Sequence, residues 1–421
     1  MVCAFALLFF QLLFTTILCF TPPPRDSGAA MLVNSTIWFF GGSLQPIGGE
    51  KATTNSLFSL DVSRPWSISS PPWTDHSSDL TDQSLVYTRG KTTLQLDADG
   101  VTLWVYGGKS EPRNASLANS NPTVRYDTMA HVWSSVPPSD NPAVLNLHSH
   151  SAARDSQGVI FYFGGTVNNF TGWSSTVENK NVIILSTSTR SWTTLPIGNA
   201  PSRILGTATM VGTKVYLIGG TGETMGSVSM YDTIVDTWST INTKGPTPES
   251  RSGHSAVLSS DNTSIIIYGG GTPTAYSVNE IWTLDVNTFQ WASPPVTGFS
   301  PTKGLLSHNG SFQGVAVDPI TYTNTTYVLD TSNWNWTNSF TPMSPENSPL
   351  MPSLIPHESG FEYQNPLNII GGIGGVIGII SGALLLLAVA CFLIFLSCRQ
   401  RNEGVSVAAN TTWKPEAVGE I

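Results

Sequence analysis

The sequence predicts an all-β body built from a repeated four-stranded unit, and three observations carry that expectation. Charged residues make up only 11% of the 421-residue chain, which holds 38 glycines and 28 prolines among recurring Thr, Ser, Val and Trp, a mixture that favours strands and turns over helices. Short apolar runs end in paired glycines at Gly41-Gly42, Gly107-Gly108, Gly164-Gly165, Gly219-Gly220 and Gly269-Gly270, at intervals of 50 to 66 residues. After each pair an Asp is followed six residues later by a Trp, as in Asp127 and Trp133, Asp232 and Trp238, Asp285 and Trp291, and Asp330 and Trp336. Ser186 stands in for Asp before Trp192, and Asp61 with Trp66 falls one residue short.

Each unit reads as four strands. In the fifth these are Ser255 to Leu258, Ile265 to Tyr268, Glu280 to Leu284 and Phe289 to Ala292. Turn residues separate the first two strands throughout, at Asn34-Ser35, Asp99-Gly100, Gln157-Gly158, Gly212-Thr213 and Asp261-Asn262, as hairpin connections require. Neither repeated feature marks a ligand site. No G-x-G-x-x-G or G-K-[ST] pattern opens a helix, so the paired glycines read as positions of positive φ and close backbone approach. One large ring per unit, at Trp66, Trp133, Trp192, Trp238, Trp291 and Trp336, reads as filling between neighbouring sheets.

An apolar run with Gly-Gly, then Tyr/Leu-Asp, then Trp resembles the kelch repeat over about residues 29 to 337. The resemblance implies a kelch-type β-propeller of four-stranded blades, six here with seven as the alternative. The sixth unit departs from the pattern, with Asp318-Pro319 where Gly-Gly should stand, but keeps an Asn309-Gly310 hairpin signal and an apolar Val315 to Val317. Kelch-like propellers include copper radical oxidases resembling galactose oxidase, whose site requires a cysteine cross-linked to tyrosine. The body of this chain has no cysteine, since the four lie at Cys3, Cys19, Cys391 and Cys398. Of the histidines, only His148 and His150 sit close together, half a metal site at most. With no G-x-S-x-G, no H-E-x-x-H and no paired carboxylates, neither a catalytic residue nor a cofactor is expected. His254 in Arg251-Ser252-Gly253-His254 resembles a residue that begins kelch first strands.

The remaining segments describe a membrane anchor. Residues 1–20 carry no charge and precede Pro22, Pro23 and Pro24, as in a signal peptide, with an uncleaved anchor as the alternative. Residues 21–337 form the propeller. Residues 338–368 carry six prolines and read as an extracellular stalk. Residues 369–396 are 28 positions without a charge, roughly 42 Å as a helix, enough to span a bilayer as one C-terminal transmembrane helix. Arg399 and Arg401 follow and assign 397–421 to the cytoplasm, giving a single-pass type I protein of the plasma membrane or another secretory-pathway membrane. Glycosylation signals then face outward at Asn34, Asn114, Asn169, Asn262, Asn309, Asn324 and Asn335.

These features favour a binding or scaffolding module over an enzyme or a signalling receptor, in the manner of surface-anchored kelch proteins of fungal type. The net charge of −9 lies wholly between the two apolar segments and excludes a basic stripe for nucleic acid. The partner is expected to be an extracellular protein or glycan, besides the lipid bilayer itself. Small-xxx-small spacings at Gly371, Gly375, Gly378 and Gly382 allow a weak homodimer. The links from second to third strand, and from fourth strand to the next unit, are long and share one side of the disc. They carry Trp73, Phe170 and Trp173, aromatics outside the repeat register and therefore candidates for partner binding.

Overall fold

The computed structural model describes residues 20–47, 50–111, 122–136, 145–196, 201–299, 301, 305, 315–316 and 321–342. Five antiparallel sheets follow one another along the chain, each ordered first to fourth strand. Blade 1 holds Ala29–Val33, Thr36–Phe40, Leu57–Asp61 and Trp73–Asp75. Blade 2 holds Thr93–Leu96, Thr102–Tyr106, Thr123–Asp127 and Val132–Ser135, and blade 3 holds His148–Arg154, Val159–Val167, Val182–Ser186 and Ser191–Leu195 with Val177–Glu178 added at one end. Blade 4 holds Thr207–Val211, Lys214–Ile218, Ser227–Asp232 and Thr237–Asn242. Blade 5 holds Ser255–Leu258, Ser264–Tyr268, Ile281–Asp285 and Trp291–Ala292, close to the strands read from the repeat.

Second strands are mostly apolar past their first residue because a neighbouring blade covers each face. Thr102–Tyr106 is buried at every position, and the core lies in layers between adjacent sheets. The repeated Asp caps the turn between third and fourth strands. Asp127 Oδ1 accepts from the Met129 and Ala130 amides at 2.8 Å, and Asp285 Oδ1 accepts from those of Asn287 and Thr288 at 2.9 and 2.7 Å. The residue four beyond that Asp or Ser is left-handed in every such turn: His131, Arg190, Asp236, Phe289 and Trp334, with φ from 52° to 58°.

Across the outer strand pair the blade tryptophan faces the residue before that Asp or Ser. Tyr126 faces Trp133, Leu185 faces Trp192, Tyr231 faces Trp238, Leu284 faces Trp291 and Leu329 faces Trp336. In blade 1 the partner of Leu60 is Trp73, and this corrects two expectations. Trp73 is no loop aromatic: it is buried, and its ring meets Phe39 and Phe58 edge-on at 5.3 and 5.6 Å. Trp66 is not the blade tryptophan; it lies in an insertion between third and fourth strands, where Trp66–Ser67 pairs with Ser339–Phe340 and the two rings stack at 5.2 Å. Strand pairing thus continues past residue 337.

The paired glycines join one blade to the next. The second glycine of each pair donates its amide to a carbonyl at the start of the following segment: Gly42 to Arg89, Gly108 to Leu147, Gly165 to Arg203, Gly220 to Arg251 and Gly270 to Leu305, at 2.7 to 3.0 Å. At Gly41, φ is 69° and a Cβ would stand 2.5 Å from the Arg89 carbonyl oxygen, so only glycine permits this approach. Three of these leading residues, and Arg25 in the corresponding place before blade 1, are buried arginines that also bind the first glycine's carbonyl in their own blade. Arg25 reaches Gly41 at 2.9 Å, Arg89 reaches Gly107 at 3.2 Å, Arg203 reaches Gly219 at 2.6 Å and Arg251 reaches Gly269 at 3.2 Å.

After blade 5, Val315–Ala316 pairs with Thr321–Tyr322, and Val328–Asp330 pairs with Asn335–Thr337. This segment returns to the start of the body: Arg25 bridges to Thr323, and Asn324 Nδ2 donates to the Pro22 carbonyl at 2.9 Å. The turn at Asn309-Gly310, Asp318-Pro319, residues 1–19 of the expected signal peptide, residues 343–368 of the expected stalk, and the expected membrane segment and tail lie outside the described residues. Among the described residues no helix is long and apolar enough to cross a membrane.

Candidate functional site at the channel mouth

Two residues beyond Arg25, Arg89, Leu147, Arg203 and Arg251 the backbone turns left-handed again, at Ser27, Lys91, Ser149, Leu205 and Gly253, with φ from 53° to 65°. These five form a collar. Each of the last four donates its amide to the carbonyl of the one before, Lys91 to Ser27, Ser149 to Lys91, Leu205 to Ser149 and Gly253 to Leu205, at 2.7 to 3.0 Å. The first strands begin at this collar and line the central channel. A ring of fixed carbonyls and amides makes its rim stiff, a platform that loops can decorate.

Above the collar lies a polar basin of about 620 Å³, walled by Asp26, Lys51, Lys91, Lys109 and Glu111 on one side and by Thr221, Ser252, Thr272 and Tyr276 on the other. Lys109 Nζ bonds Glu111 Oε1 at 2.6 Å. Burial pushes the Lys91 ammonium below its ordinary value, Lys109 pushes the same way, and Asp26 opposes both. Burial raises the Asp26 carboxyl, which its bond to Ser27 and the three lysines partly offset. His148 is pushed down to about 4, mainly by burial and then by Lys91 and Lys109. His150 is pushed down to about 3, mainly by burial and then by His148. Both imidazoles are therefore neutral at pH 7, and the basin wall itself sets three lysines against two carboxyl side chains.

The sequence-picked histidines do not converge on one point. His148 Nδ1 meets Ser149 Oγ at 2.9 Å, while His150 Nε2 meets Thr93 Oγ1 of blade 2 at 2.9 Å. His254 repeats the second role, meeting Thr207 Oγ1 of blade 4 at 3.2 Å. Of the three candidate aromatics, Phe170 and Trp173 belong together on the link between second and third strands of blade 3. A 3-10 turn, Asn169–Thr171, holds this link rigid. Asn168 Oδ1 accepts from the Phe170 amide at 2.9 Å, the Asn168 amide donates to Thr171 Oγ1 at 2.9 Å, and Gly172 closes the turn left-handed. Phe170 is half-buried with Lys109 Nζ 5.2 Å from its ring centre, which sets it at the basin edge, and its carbonyl accepts from the Ser110 amide at 3.1 Å. Trp173 is 39% exposed, with Val177 at 47% beside it on the same link.

The glycosylation signals fall in unlike places. Asn34 and Asn262 are exposed and left-handed at hairpin tips. Asn169, Asn324 and Asn335 are half-buried, and Asn114 and Asn309 lie outside the described residues. Sequence reasoning missed the collar and the arginines. The arginines left a signal, since each stands 16 or 18 residues before the first glycine it binds; the collar left none, because two serines, a lysine, a leucine and a glycine make no common side-chain pattern.

The family model described as the KLHDC2/KLHL20/DRC7 Kelch-repeats domain matches residues 15–220 and 205–345. Kelch domain-containing protein 3 of Homo sapiens is 29% identical over 176 residues, 36% of this chain and 45% of that protein, so the aligned region spans less than half of that relative's length. Kelch domain-containing protein 10 of Xenopus tropicalis is 25% identical over 315 residues, 71% of this chain and 70% of that protein. The solved structure titled "Structure of YjhT" superposes with a TM-score of 0.53 at 16% identity, covering 76% of this chain and 99% of that one, a likeness of fold alone. With matches across most of its length and a Gly-Gly and tryptophan register kept from blade to blade, the chain belongs to the kelch-repeat family of β-propellers.

Proposed function

We propose that this chain is a cell-surface binding or scaffolding module rather than an enzyme, and that it receives an extracellular protein or glycan at the channel mouth. The observation that carries the reading is the polar basin above the collar, bordered by Phe170 with Trp173 exposed on the same braced link. Rigid rims with exposed aromatics supply contact area at low entropic cost. Six blades are part of the proposal. Leu305 accepts from Gly270 where a sixth blade would start, and Leu329 faces Trp336 as the outer pair of that blade. So are a signal peptide at 1–20, a stalk, a membrane helix at 369–396, outward glycans, a weak homodimer and type I orientation, supported by the apolar ends, the prolines, the glycine spacings and the basic residues after the second apolar segment.

Proximity labelling on intact cells tests the placement and the partner together. A labelling enzyme inserted after the signal peptide is expected to tag extracellular proteins, and one fused after Ile421 to tag cytosolic ones. Cytosolic tagging from both positions would sink the surface assignment, and loss of no tagged protein on changing Phe170 and Trp173 would sink the site.

A further inference from the structure

Among the described residues, one group of three side chains brings metal-ligating atoms together: His76, Asp79 and His131, all within 4.8 Å of one another. It plays no part in the channel mouth and lies in the groove between blades 1 and 2. His76 and Asp79 sit in the link that leaves blade 1, and His131 sits in the turn between the outer strands of blade 2. We propose that these residues form a binding site for a transition-metal dication of the zinc class, which ties blade 1 to blade 2.

Two of the three spacings are already close to those such an ion requires, and the third is within 4.8 Å. Asp79 Oδ2 lies 3.0 Å from His131 Nδ1 and 3.3 Å from His76 Nδ1. Ligands of a tetrahedral zinc, with bonds of about 2.0–2.1 Å, stand about 3.3 Å apart. The surroundings hold each ligand in place. His76 Nε2 meets Ser59 Oγ at 2.9 Å, which orients the ring with Nδ1 toward Asp79, and the Tyr126 hydroxyl donates to Asp79 Oδ2 at 2.6 Å. Trp38 covers the inner side, its ring 4.6 Å from that of His76 and 5.4 Å from that of Tyr126. The His131 side chain is 48% exposed, so an ion has a way in and a fourth position remains for water.

Comparison with blade 4 separates framework from site. There Tyr231, the counterpart of Tyr126, donates to Asp236 Oδ1, and Asp236 is the counterpart of His131 in the left-handed turn. A tyrosine bonded to this turn residue is thus ordinary blade furniture. The imidazole at 131 and the His76-Ser77-Ser78-Asp79 segment facing it are what blade 4 lacks. Two imidazoles and a hydroxyl, contributed by two blades, all approach a single carboxylate oxygen.

The alternative is a hydrogen-bonded cluster that needs no ion, and the two differ in what an isosteric amide does. Purified full-length chain, stripped with chelator, is titrated with Zn²⁺ and with Co²⁺. One saturable equivalent is expected, with the visible absorption of four-coordinate cobalt and a melting temperature that rises with Zn²⁺. Asp79→Asn and, separately, His131→Asn, which tolerates positive φ, are each expected to weaken binding at least about tenfold and to abolish the zinc-dependent rise. Asp236→Asn is expected to leave both unchanged. Absence of saturable binding at micromolar metal, or undiminished binding in both Asp79→Asn and His131→Asn, would overturn the proposal.

Discussion

Trp73 stands opposite Leu60 across the outer strands of blade 1, in the place that Trp133 takes opposite Tyr126 in blade 2. The spacing from the strand-closing Asp is twelve residues in blade 1 and six in blade 2, yet the same packing results. Cross-strand pairing, not distance along the chain, fixes which ring enters the core. Trp73→Ala is therefore expected to destabilise the protein by about 3–5 kcal/mol, the usual range for a buried large aromatic. Trp66→Ala, which removes a partly buried ring that stacks on Phe340 at the edge of the same core cluster, is expected to cost less. Chemical unfolding of both variants checks the order.

What the sequence showed follows from this. The Gly-Gly pairs, the hairpin turns and the outer tryptophans of blades 2 to 5 were legible because a local physical need repeats them at a fixed offset. Trp66 misled because it lies near the expected offset while its strand partner, Phe340, is remote in sequence. The charged basin was not legible at all: Asp26, Lys51, Lys91, Lys109 and Glu111 belong to links that only the closed ring brings together. His76 and His131 meet for the same reason.

The buried arginines make a second test. Arg89 donates to the carbonyls of Gly107 at 3.2 Å and Pro122 at 2.6 Å, and its own carbonyl accepts from Gly42. Arg89→Met keeps the last bond, strands the Gly107 carbonyl and leaves the Pro122 carbonyl only the Gly107 amide, with an expected loss of about 1–3 kcal/mol. Leucine already occupies the corresponding position at Leu147 and Leu305, so folding should survive. Thermal melting of the variant measures the loss.

Acid should loosen the channel. His148 and His150 have folded values of about 4 and about 3, below the ordinary value of about 6.5, so the unfolded chain binds more protons between those limits. Stability is then fully present above pH 6.5 and falls as the pH drops toward 4 and 3. From pH 7 to pH 5 each histidine should remove about 2 kcal/mol. His150→Gln is expected to flatten this slope by its own share, as read from unfolding free energies at the two pH values.

Exposure ranks the glycosylation signals. Asn34 and Asn262 project from hairpin tips and should be occupied on the secreted side, whereas Asn410 in the tail should stay bare. Glycopeptide mass spectrometry gives the occupancy, and sugar on Asn410 would reverse the proposed orientation.

The central claim is that partners bind at the channel mouth through the braced link beside the basin. Its most direct measurement compares partner affinity, once proximity labelling supplies the partner, between Phe170→Ala combined with Trp173→Ala and a control changed at the exposed turn residues Met129 and Asn287. The account predicts that the first variant loses binding by at least about tenfold while melting as the parent does, and that the control binds as the parent does. Full binding by the first variant together with loss in the control would contradict it.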